Sequence, residues 1–199
     1  NSVVVDANGA VIANLSGDEK RKIVKLEDMS EYLPKAYVAI EDERFYKHHG
    51  VDFKRTTGAI INTVLKGNSS YGGSTITQQV AKNVVFSQEA SISRKLGELF
   101  ASFELEKNYS KDEILEIYVN TCYFGDGYYA IYDASYGYYK KSPKDLTLTE
   151  AAMLAGVPNA PSVYSPSVNP DLAKKRQKYV LNKMVEYGYI NEKDINSVL

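Results

Sequence analysis

Several features that would assign this chain to a protein class at once are scarce or absent. Its 199 residues include a single cysteine, Cys122, which excludes an internal disulfide framework and a metal site built from several cysteines. Tryptophan is absent, although there are 17 tyrosines. No apolar run approaches the roughly 20 residues that span a bilayer. The chain opens on Asn1 without the basic and apolar regions of a signal peptide, so we expect it to be part of a longer protein.

Neither sign of charge dominates. Lys and Arg number 24 against 25 Asp and Glu, which gives a formal net charge of -1 and disfavours a strongly basic nucleic-acid binder. Apolar residues make up 44% and charged residues 25% of the chain, an ordinary globular composition. The length is sufficient for one domain with its own core.

The first part of the chain has a different pattern from the rest. Two β-like runs, 2–5 and 11–15, flank a segment that ends in Asn8-Gly9, which is typical of a hairpin. From residue 30 onward the apolar spacing is helical. We therefore predict a mainly α fold with a short β piece at the N-terminus, divided into a hairpin and linker (1–29) and a helical domain (30–199).

Local signals mark where the helices begin. Ser110 with Glu113 forms a capping box, so a helix should start near Lys111. The other residues expected to cap a helix or to occupy its first turn are Ser30, Pro34, Ser74, Thr149 and Pro170. A core stripe at helical spacing is predicted at Ile92, Leu96, Leu99 and Phe103.

The first segment with chemical potential is Glu41-Asp42-Glu43-Arg44-Phe45. Glu41 follows Ile40 at the margin of the buried stripe of its helix, where partial desolvation would raise its pKa and make it a better proton acceptor near neutral pH. Arg44 could steady the charge or reach an anionic ligand. The alternative is a solvated acidic helix turn, which charge runs often form.

The second segment is Gly72-Gly73-Ser74-Thr75-Ile76-Thr77-Gln78-Gln79-Val80-Ala81-Lys82. Glycines before a helix allow a ligand to approach the backbone, and free N–H groups at a helix start favour phosphate. Thr75, Gln78 and Lys82 share one face at spacings of three and four. The Lys-Ser/Thr ending of a Walker A loop is missing. A glycine turn followed by an ordinary polar helix face is the alternative.

Arg94 and Glu98 lie four residues apart on a predicted helix, with Lys95 beside them. An exposed pair of this kind is worth only about 0.3–0.5 kcal/mol and usually has no function. Its interest is that it supplies a second carboxylate and further cations, and two carboxylates flanking a glycosidic centre are what sugar transfer generally needs. His48 and His49 lack further metal-ligand spacing, so we expect them to satisfy hydrogen bonds in a turn. Cys122 is interpreted as a buried small residue.

The order of these segments is more specific than any one of them. EDERFYKHHG, GGSTITQQVAKN, RKLGE, KDEILEIYVN and KRQKYVL follow one another between about residues 30 and 190. Together they resemble the five motifs of the peptidoglycan glycosyltransferases of family 51, which form the polymerase domain of class A penicillin-binding proteins and of monofunctional transglycosylases. The resemblance implies a lysozyme-like head subdomain and a small membrane-facing jaw subdomain at approximately 52–70.

The resemblance also implies a reaction and its residues. Glu41 matches the general base that deprotonates the 4-hydroxyl of the lipid II acceptor, so that a β-1,4 bond forms with inversion and undecaprenyl pyrophosphate leaves. Glu98 matches the second catalytic carboxylate, which in the family acts near the pyrophosphate directly or through a divalent cation, Mg²⁺ or Mn²⁺; no organic cofactor is implied. The positions that match substrate or pyrophosphate contacts are Arg44, Ser74, Thr75, Gln78, Gln79, Lys82 and Arg94.

The remaining motif positions match residues expected to be structural: Asp42, Phe45, His48, Gly50, Gly73, Lys111, Tyr118, Asn120 and Arg176. The chain departs from the family pattern at three places. An arginine common in relatives is replaced near Thr56-Thr57-Gly58, with Arg55 nearby. A lysine that some relatives carry is replaced by Gly97, and the fifth motif has Arg176 followed by Gln177 rather than two arginines.

The resemblance further implies partners and a location. These are lipid II and the growing glycan strand, the outer leaflet through the jaw, and other cell-wall synthesis proteins, without nucleic acid. The place would be the extracytoplasmic face of a bacterial cytoplasmic membrane, with the anchor outside this chain, and the enzyme would be a target of the phosphoglycolipid inhibitor moenomycin. Two alternatives remain open: a lysozyme-like muramidase or lytic transglycosylase, and a non-catalytic scaffold that binds lipid II.

Overall fold

The computed structural model describes residues 3–5, 11–14, 22–57, 73–85 and 92–196, and these residues are mainly helical. The α-helices are α1 (Tyr32–Glu41), α2 (Ile76–Val85), α3 (Ile92–Asn108), α4 (Lys111–Thr121), α5 (Ile131–Tyr139), α6 (Leu148–Gly156), α7 (Pro161–Tyr164), α8 (Pro170–Glu186) and α9 (Glu192–Asn196). Short 3₁₀ turns occur at Leu26–Asp28, Phe45–Lys47 and Pro143–Asp145. None of the helices in the described ranges is long and apolar enough to cross a membrane.

The two β-like runs near the N-terminus contain short strands. β1 (Val3–Val5) pairs antiparallel with β2 (Val11–Asn14), with Val3 opposite Asn14 and an irregular register between Val4 and Val5. The predicted Asn-Gly turn between them lies outside the described residues.

Helix α1 lies at the centre of the packing. It packs against α6 and α8, which also pack against each other, while α2 packs against α3 and α4. The largest fully buried side chains of the core include Leu33, Tyr37, Phe45, Ile76, Ile114, Tyr118, Phe124, Leu154, Leu181 and Met184. Burial of such side chains is worth about 1.5–3 kcal/mol each. The C-terminal residue of α1, Glu41, therefore lies at a fixed position between packed helices.

The predicted starts of the later helices are largely correct. Ser110 and Glu113 form the expected capping box of α4. Pro170 occupies the first position of α8, and the chain leaves that helix through Gly188 at a φ of 73°. A positive φ at a helix C-terminus is the conformation that glycine adopts at least cost.

Three predicted caps are wrong. Helix α6 is capped by Thr147, because Glu150 lies three residues further on and completes a capping box; Thr149 is already inside the helix. Helix α1 has Glu31 at its N-cap position without a side-chain cap, while Ser30 is buried and its N–H donates to the carbonyl of Pro143. The third is Ser74, because its neighbour Thr75 caps helix α2.

The predicted core stripe of α3 is also wrong. Leu96 is 55% exposed and Phe103 is exposed as well, whereas the polar residues Glu98 and Ser102 are buried; the side chain of Ile92 lies outside the described residues. Helical spacing identifies residues that share a face, but it does not show which face points inward. In this fold α3 turns its polar face toward α2.

The predicted jaw at 52–70 is described only at its beginning. Residues 53–57 are helical, and Asp52 caps them by accepting hydrogen bonds from the N–H groups of Lys54 and Arg55 at 3.0 and 3.1 Å. Phe53 is 65% exposed. The rest of the jaw and the predicted loop before Gly73 lie outside the described residues.

Candidate active site

Glu41 is a buried carboxylate at the end of α1, with 7% relative exposure. Its Oε2 accepts a hydrogen bond of 2.9 Å from Nε2 of Gln79, and its buried Oε1 has no hydrogen-bond partner among the described residues. Burial raises the pKa of Glu41, and the amide of Gln79 opposes this rise. The predicted desolvation of Glu41 is therefore confirmed, and the alternative of a solvated acidic turn does not hold for this residue.

The turn after α1 is organised by Asp42. This residue is fully buried, its Oδ2 lies 2.8 Å from Nε2 of His48, and the same oxygen accepts the N–H of Ile76 at 3.0 Å. Phe45 is fully buried and packs its ring edge-on against His48. Two of these contacts hold the turn together, and the bond from Ile76 joins it to the start of α2. Both are in agreement with the structural role expected for these motif residues.

Gly50 closes the same turn. Its φ is 87°, and a Cβ at this position would lie 2.9 Å from the carbonyl oxygen of Ser102 on α3. A side chain would therefore meet both backbone strain and a steric conflict with a backbone atom. At Gly50 the end of the first motif therefore lies close to the backbone of α3.

The N-terminus of α2 is capped by Thr75 rather than by Ser74. The Gln78 N–H donates to Oγ1 of Thr75 at 3.1 Å, and the Thr75 N–H donates to Oε1 of Gln78 at 2.9 Å. Thr75 also donates its hydroxyl to the carbonyl of Gly50 at 2.6 Å. This reciprocal cap, together with the bond from Ile76 to Asp42, occupies N–H groups that the sequence predicted to be available for phosphate.

The polar residues predicted to contact the substrate at the start of α2 thus fall into two groups, buried and accessible. Thr75 and Gln78 are buried and bind each other, so their predicted contact with substrate has no support in the geometry. Gln79 contacts Glu41, and Lys82, one turn later, is exposed. Ser74 accepts a hydrogen bond of 3.3 Å from Nζ of Lys95 on α3.

Glu98 is the second buried carboxylate, with 1% relative exposure. Its Oε2 lies 2.7 Å from Nζ of Lys95, and its Oε1 lies 3.1 Å from Nε of Arg94. The pair of Arg94 and Glu98 is therefore not the exposed surface pair that its spacing allows. The buried carboxylate of Glu98 holds both cations in place, and Lys95 also donates a hydrogen bond to Ser74.

Both carboxylates are joined to the same short segment at the start of α2. Glu41 contacts Gln79, and Glu98 is linked through Lys95 to Ser74. Because α2 packs against α3, the two acids belong to one region of the molecule, as the motif order predicted.

The arginine of the first motif, Arg44, and Arg55, which follows the motif, are already paired. Arg44 lies beyond the end of α1, and its Nε is 3.5 Å from Oδ2 of Asp52. Arg55 places Nη1 at 3.2 Å from Oε2 of Glu43 and 3.8 Å from Oδ1 of Asp42. The described contacts of Arg44 involve Asp52 rather than Glu41.

Two of the motif residues expected to be structural connect distant segments. Asn120 accepts the N–H of Val24 at 3.0 Å and donates to its carbonyl at 2.9 Å. Lys111 lies 2.6 Å from Oε1 of Glu106, and its ammonium lies 4.5 Å from the centroid of the Phe45 ring. Both arrangements hold α4 in place.

Two residues expected to be structural act on the candidate base, Tyr118 through Gln79 and Arg176 through its charge. The hydroxyl of Tyr118 donates to Oε1 of Gln79 at 3.3 Å and so orients the amide that faces Glu41. Arg176 lowers the pKa of Glu41 through its positive charge.

Two residues of the region were not proposed from the sequence as site residues. Lys95 is one, although its spacing of three from Glu98 was a usable signal. Glu106 is the other: it accepts the hydroxyl of Thr77 at 2.6 Å and pairs with Lys111. Nothing in the local pattern distinguishes Glu106 from an exposed helical glutamate.

No group of three or more His, Cys, Asp and Glu side chains suited to a metal ion occurs in the described part of the chain. Cys122 is buried, as expected, and burial raises the pKa of its thiol.

Comparison with known proteins decides the family. The family model described as Transglycosylase matches residues 8–185. This chain belongs to the transglycosylase family. It is 44% identical over 193 residues to penicillin-binding protein 1F of Bacillus subtilis (strain 168), which covers 97% of this chain and 27% of that protein. It is 46% identical over 183 residues to penicillin-binding protein 1A of Neisseria gonorrhoeae, which covers 92% of this chain and 23% of that protein.

A solved structure shows the same fold. The crystal structure of penicillin-binding protein 1A from Haemophilus influenzae matches with a TM-score of 0.54 at 24% identity, over 96% of this chain and 19% of that chain. The chain spans about a quarter of the length of the curated relatives it matches. The recognition from motif order and the mainly α, lysozyme-like fold class are confirmed. At the level of the family, so is the assignment as a peptidoglycan glycosyltransferase enzyme.

Proposed function

We propose that this transglycosylase domain polymerises lipid II into β-1,4-linked glycan strands, with Glu41 as the general base. The observation that carries the proposal is the state of Glu41. It is buried, one carboxylate oxygen is held by Gln79, and the other is left without a hydrogen-bond partner among the described residues. A base needs such an oxygen to accept a proton, and a raised pKa brings its proton affinity closer to that of a hydroxyl in the transition state.

At the donor carbon the proposed step forms one bond and breaks one, and a proton moves from the acceptor hydroxyl to Glu41. Oε1 of Glu41 removes the proton from the 4-hydroxyl of the acceptor GlcNAc, and that oxygen attacks C1 of the donor MurNAc. The bond from C1 to the pyrophosphate oxygen breaks, and undecaprenyl pyrophosphate leaves with the electron pair. Attack from the side opposite the leaving group inverts C1 and gives the β-linkage. The proton carried by Glu41 is then released to solvent.

The leaving pyrophosphate requires positive charge nearby. Arg94 and Lys95 are fixed on Glu98, and Lys82 extends from the exposed side of α2. Cations that are held in place stabilise a developing anion better than water does. We assign Glu98 the task of orienting Arg94 and Lys95, and Lys82 the task of contacting the diphosphate directly.

The residues present do not fit the divalent cation that the family resemblance implies at Glu98. Both oxygens of this carboxylate already lie within 3.1 Å of a cationic nitrogen, and its side chain is 1% exposed. A divalent cation would have to displace Arg94 or Lys95, and the described ranges contain no group of three or more His, Cys, Asp and Glu side chains suited to a metal ion. The three cationic side chains therefore take the charge-stabilising role in this proposal.

The proposed location is the outer face of the cytoplasmic membrane. Leu96 and Phe100 on α3 are 55% and 68% exposed, Phe103 is exposed on the same helix, and Phe53 is 65% exposed at the start of the predicted jaw. Exposed apolar surface of this kind is typical of segments that lie in a membrane interface. We propose that this apolar surface (Phe53, Leu96, Phe100 and Phe103) contacts the bilayer that contains the substrate.

The test is to incubate the domain with labelled lipid II and, separately, with purified sacculi. Glycan ladders from lipid II, absent with Glu41→Gln and suppressed by moenomycin, are the expected result. Soluble fragments released from sacculi without polymerisation of lipid II would instead identify a lytic enzyme. Binding of lipid II without any product would identify a scaffold.

Lys82→Ala should lower turnover while thermal unfolding stays unchanged, and wild-type kinetics would remove Lys82 from the proposed diphosphate site.

A further inference from the structure

We propose that Tyr118 is a positioning residue for the reaction: its buried hydroxyl fixes the amide of Gln79 in the orientation that presents an N–H donor to Glu41. The inference rests on the proposed function, in which Glu41 is the base. It assigns a part in the reaction to a residue that the sequence predicted to be structural. It also gives Gln79 a task that differs from the predicted contact with substrate.

The first step concerns the two ends of the Gln79 amide. Nε2 donates to Oε2 of Glu41 at 2.9 Å, and Oε1 accepts the hydroxyl of Tyr118 at 3.3 Å. An ionised carboxylate can only accept hydrogen bonds, whereas an amide has one donating and one accepting end. An ionised Glu41 therefore requires the nitrogen of the amide to face it. The oxygen of the amide then faces Tyr118, whose hydroxyl has a proton to donate.

The second step concerns the opposite orientation of the same amide. If the amide were reversed, its oxygen would lie against the carboxylate of Glu41. Two acceptors at this distance repel each other unless Glu41 carries a proton, and a protonated Glu41 could not act as a base. The hydroxyl of Tyr118 favours the productive orientation, because it gives a partner to the amide oxygen that faces away from Glu41. Without that donor, the oxygen would be left unsatisfied beside a fully buried ring.

The third step concerns how Tyr118 is held in place. Its ring is fully buried and packs edge-on against Tyr37, with the ring centroids 5.6 Å apart. Its helix, α4, is capped by Ser110 and Glu113 and packs against α2, which carries Gln79. The hydroxyl therefore has a fixed place from which to donate to the amide.

The result is a difference between the two oxygens of Glu41. Oε2 is held by the amide, while the buried Oε1 has no hydrogen-bond partner among the described residues and stays available for the proton of the acceptor. The thiol of Cys122, four residues further along the chain, also interacts with the hydroxyl of Tyr118. A thiol is a weaker acceptor than an amide oxygen, so the hydroxyl proton is directed to Gln79.

The experiment compares Tyr118→Phe with Tyr37→Phe, since both variants lose a hydroxyl and keep the ring. Tyr37 is the matched control because it is also fully buried, and its hydroxyl has no hydrogen-bond partner among the described residues. We expect kcat for lipid II polymerisation to fall about tenfold in Tyr118→Phe, the factor that one hydrogen bond is worth, with KM within a few-fold of the wild type. Tyr37→Phe should retain the wild-type kcat.

The state of Glu41 is measured by NMR of the Gln79 side-chain amide. Its ¹⁵N signal, identified by its loss in Gln79→Met, is followed against pH, and a midpoint that disappears in Glu41→Gln belongs to Glu41. Tyr118→Phe should raise this midpoint by about 0.5–1 pH unit, because a reversed amide favours the protonated acid. The acid limb of kcat/KM should move with it. Tyr118→Phe and its control leave in place the other charged and titratable groups that act on Glu41 or are acted on by it: Asp42, Arg55, Arg176 and Cys122.

A double-mutant cycle separates the effect through Gln79 from a purely structural one. In Gln79→Met the amide is absent, so adding Tyr118→Phe should have no further effect on kcat. Equal losses of kcat in the two backgrounds would overturn the proposal, as would a midpoint in Tyr118→Phe identical to that of the Tyr37 control. If Tyr118→Phe does not fold, the NMR signal of the Tyr118 hydroxyl proton is compared between the wild type and Gln79→Met. An unchanged signal would show that this hydroxyl does not bind Gln79, and would overturn the proposal equally.

The two proposals fail separately. Polymerisation by Glu41→Gln at the wild-type rate would refute the assignment of the base. The NMR midpoint, in contrast, measures the effect of Tyr118 on Glu41 whether or not Glu41 is the base.

Discussion

Glu41 combines two properties that oppose each other at the scale of a single residue. Its burial makes it a stronger base, and the same burial makes the charged form costly to the folded protein. Gln79 and Arg176 reduce this cost without removing it. Residues that destabilise the fold in this way are typical of functional sites, because a purely structural position would carry an apolar or a neutral side chain.

This opposition predicts that Glu41→Gln stabilises the domain at neutral pH. Because the pKa of Glu41 is raised above its ordinary value of 4.5 in the folded state, the unfolded chain releases its proton at a lower pH. The folded state therefore loses stability as the pH rises from below 4.5 through the folded pKa. We expect a higher Tm for Glu41→Gln than for the wild type at pH 7.5, and a smaller difference at pH 4. Equal differences at both pH values would show that burial of charge is not the cause.

At the scale of elements, the sequence predicted best where a signal lies within three or four residues. The capping box at Ser110 and the proline start of α8 depend only on neighbouring residues, and both are present. The inward face of α3 could not be predicted, because it depends on the packing of α3 against α2. Glu98 is buried with two cations of its own helix, Arg94 and Lys95, as partners, while Leu96 is exposed.

The same rule holds for the site: features that depend on neighbouring residues could be predicted, and features that depend on the packing of distant segments could not. The burial of Glu41 followed from its place at the edge of an apolar stripe. The pairing of Thr75 with Gln78 has the capping-box pattern in the sequence, although the spacing of these residues also predicts a ligand-binding face. The packing of α8 against α1 joins segments about 135 positions apart in the chain, and no local pattern contains it.

The close contact between the first motif and α3 gives a stability prediction at this scale. Gly50→Ala combines a positive φ with a Cβ 2.9 Å from the Ser102 carbonyl, so we expect a loss of about 3 kcal/mol or more. Gly127→Ala is the matched control, because Gly127 has a φ of 79° with nothing within 4 Å of the added atom, and it should cost only about 1 kcal/mol. Urea denaturation measures both, and equal losses would show that the contact with α3 contributes nothing.

At the scale of the whole molecule, helix α3 is unusual because polar side chains point inward and large apolar side chains are exposed. Helix α3 directs Glu98 and Ser102 into the protein and leaves Leu96 and Phe100 exposed. The proposed substrate, lipid II, has a polar head and a long lipid tail, and such a molecule favours a polar region beside an apolar surface. Helix α3 provides the second buried carboxylate and most of the apolar surface from opposite faces.

The proposed membrane contact predicts that Phe100→Ser weakens binding to lipid vesicles. Removing this 68% exposed ring should reduce the vesicle-bound fraction severalfold in a sedimentation assay, because about 25 cal/mol is lost per Å² of apolar surface. Tyr187→Ser, at a 38% exposed aromatic position on the turn after α8, is the control and should bind as the wild type does. Equal binding by the two variants would place the membrane contact elsewhere.

The most direct test of the whole account is the elongation rate constant of Glu41→Gln on lipid II, measured together with its affinity for lipid II. We predict a fall of at least about 100-fold in the rate, the usual contribution of a positioned base, with affinity within a few-fold of the wild type because the amide preserves the shape of the side chain. Elongation by Glu41→Gln at close to the wild-type rate would contradict the account.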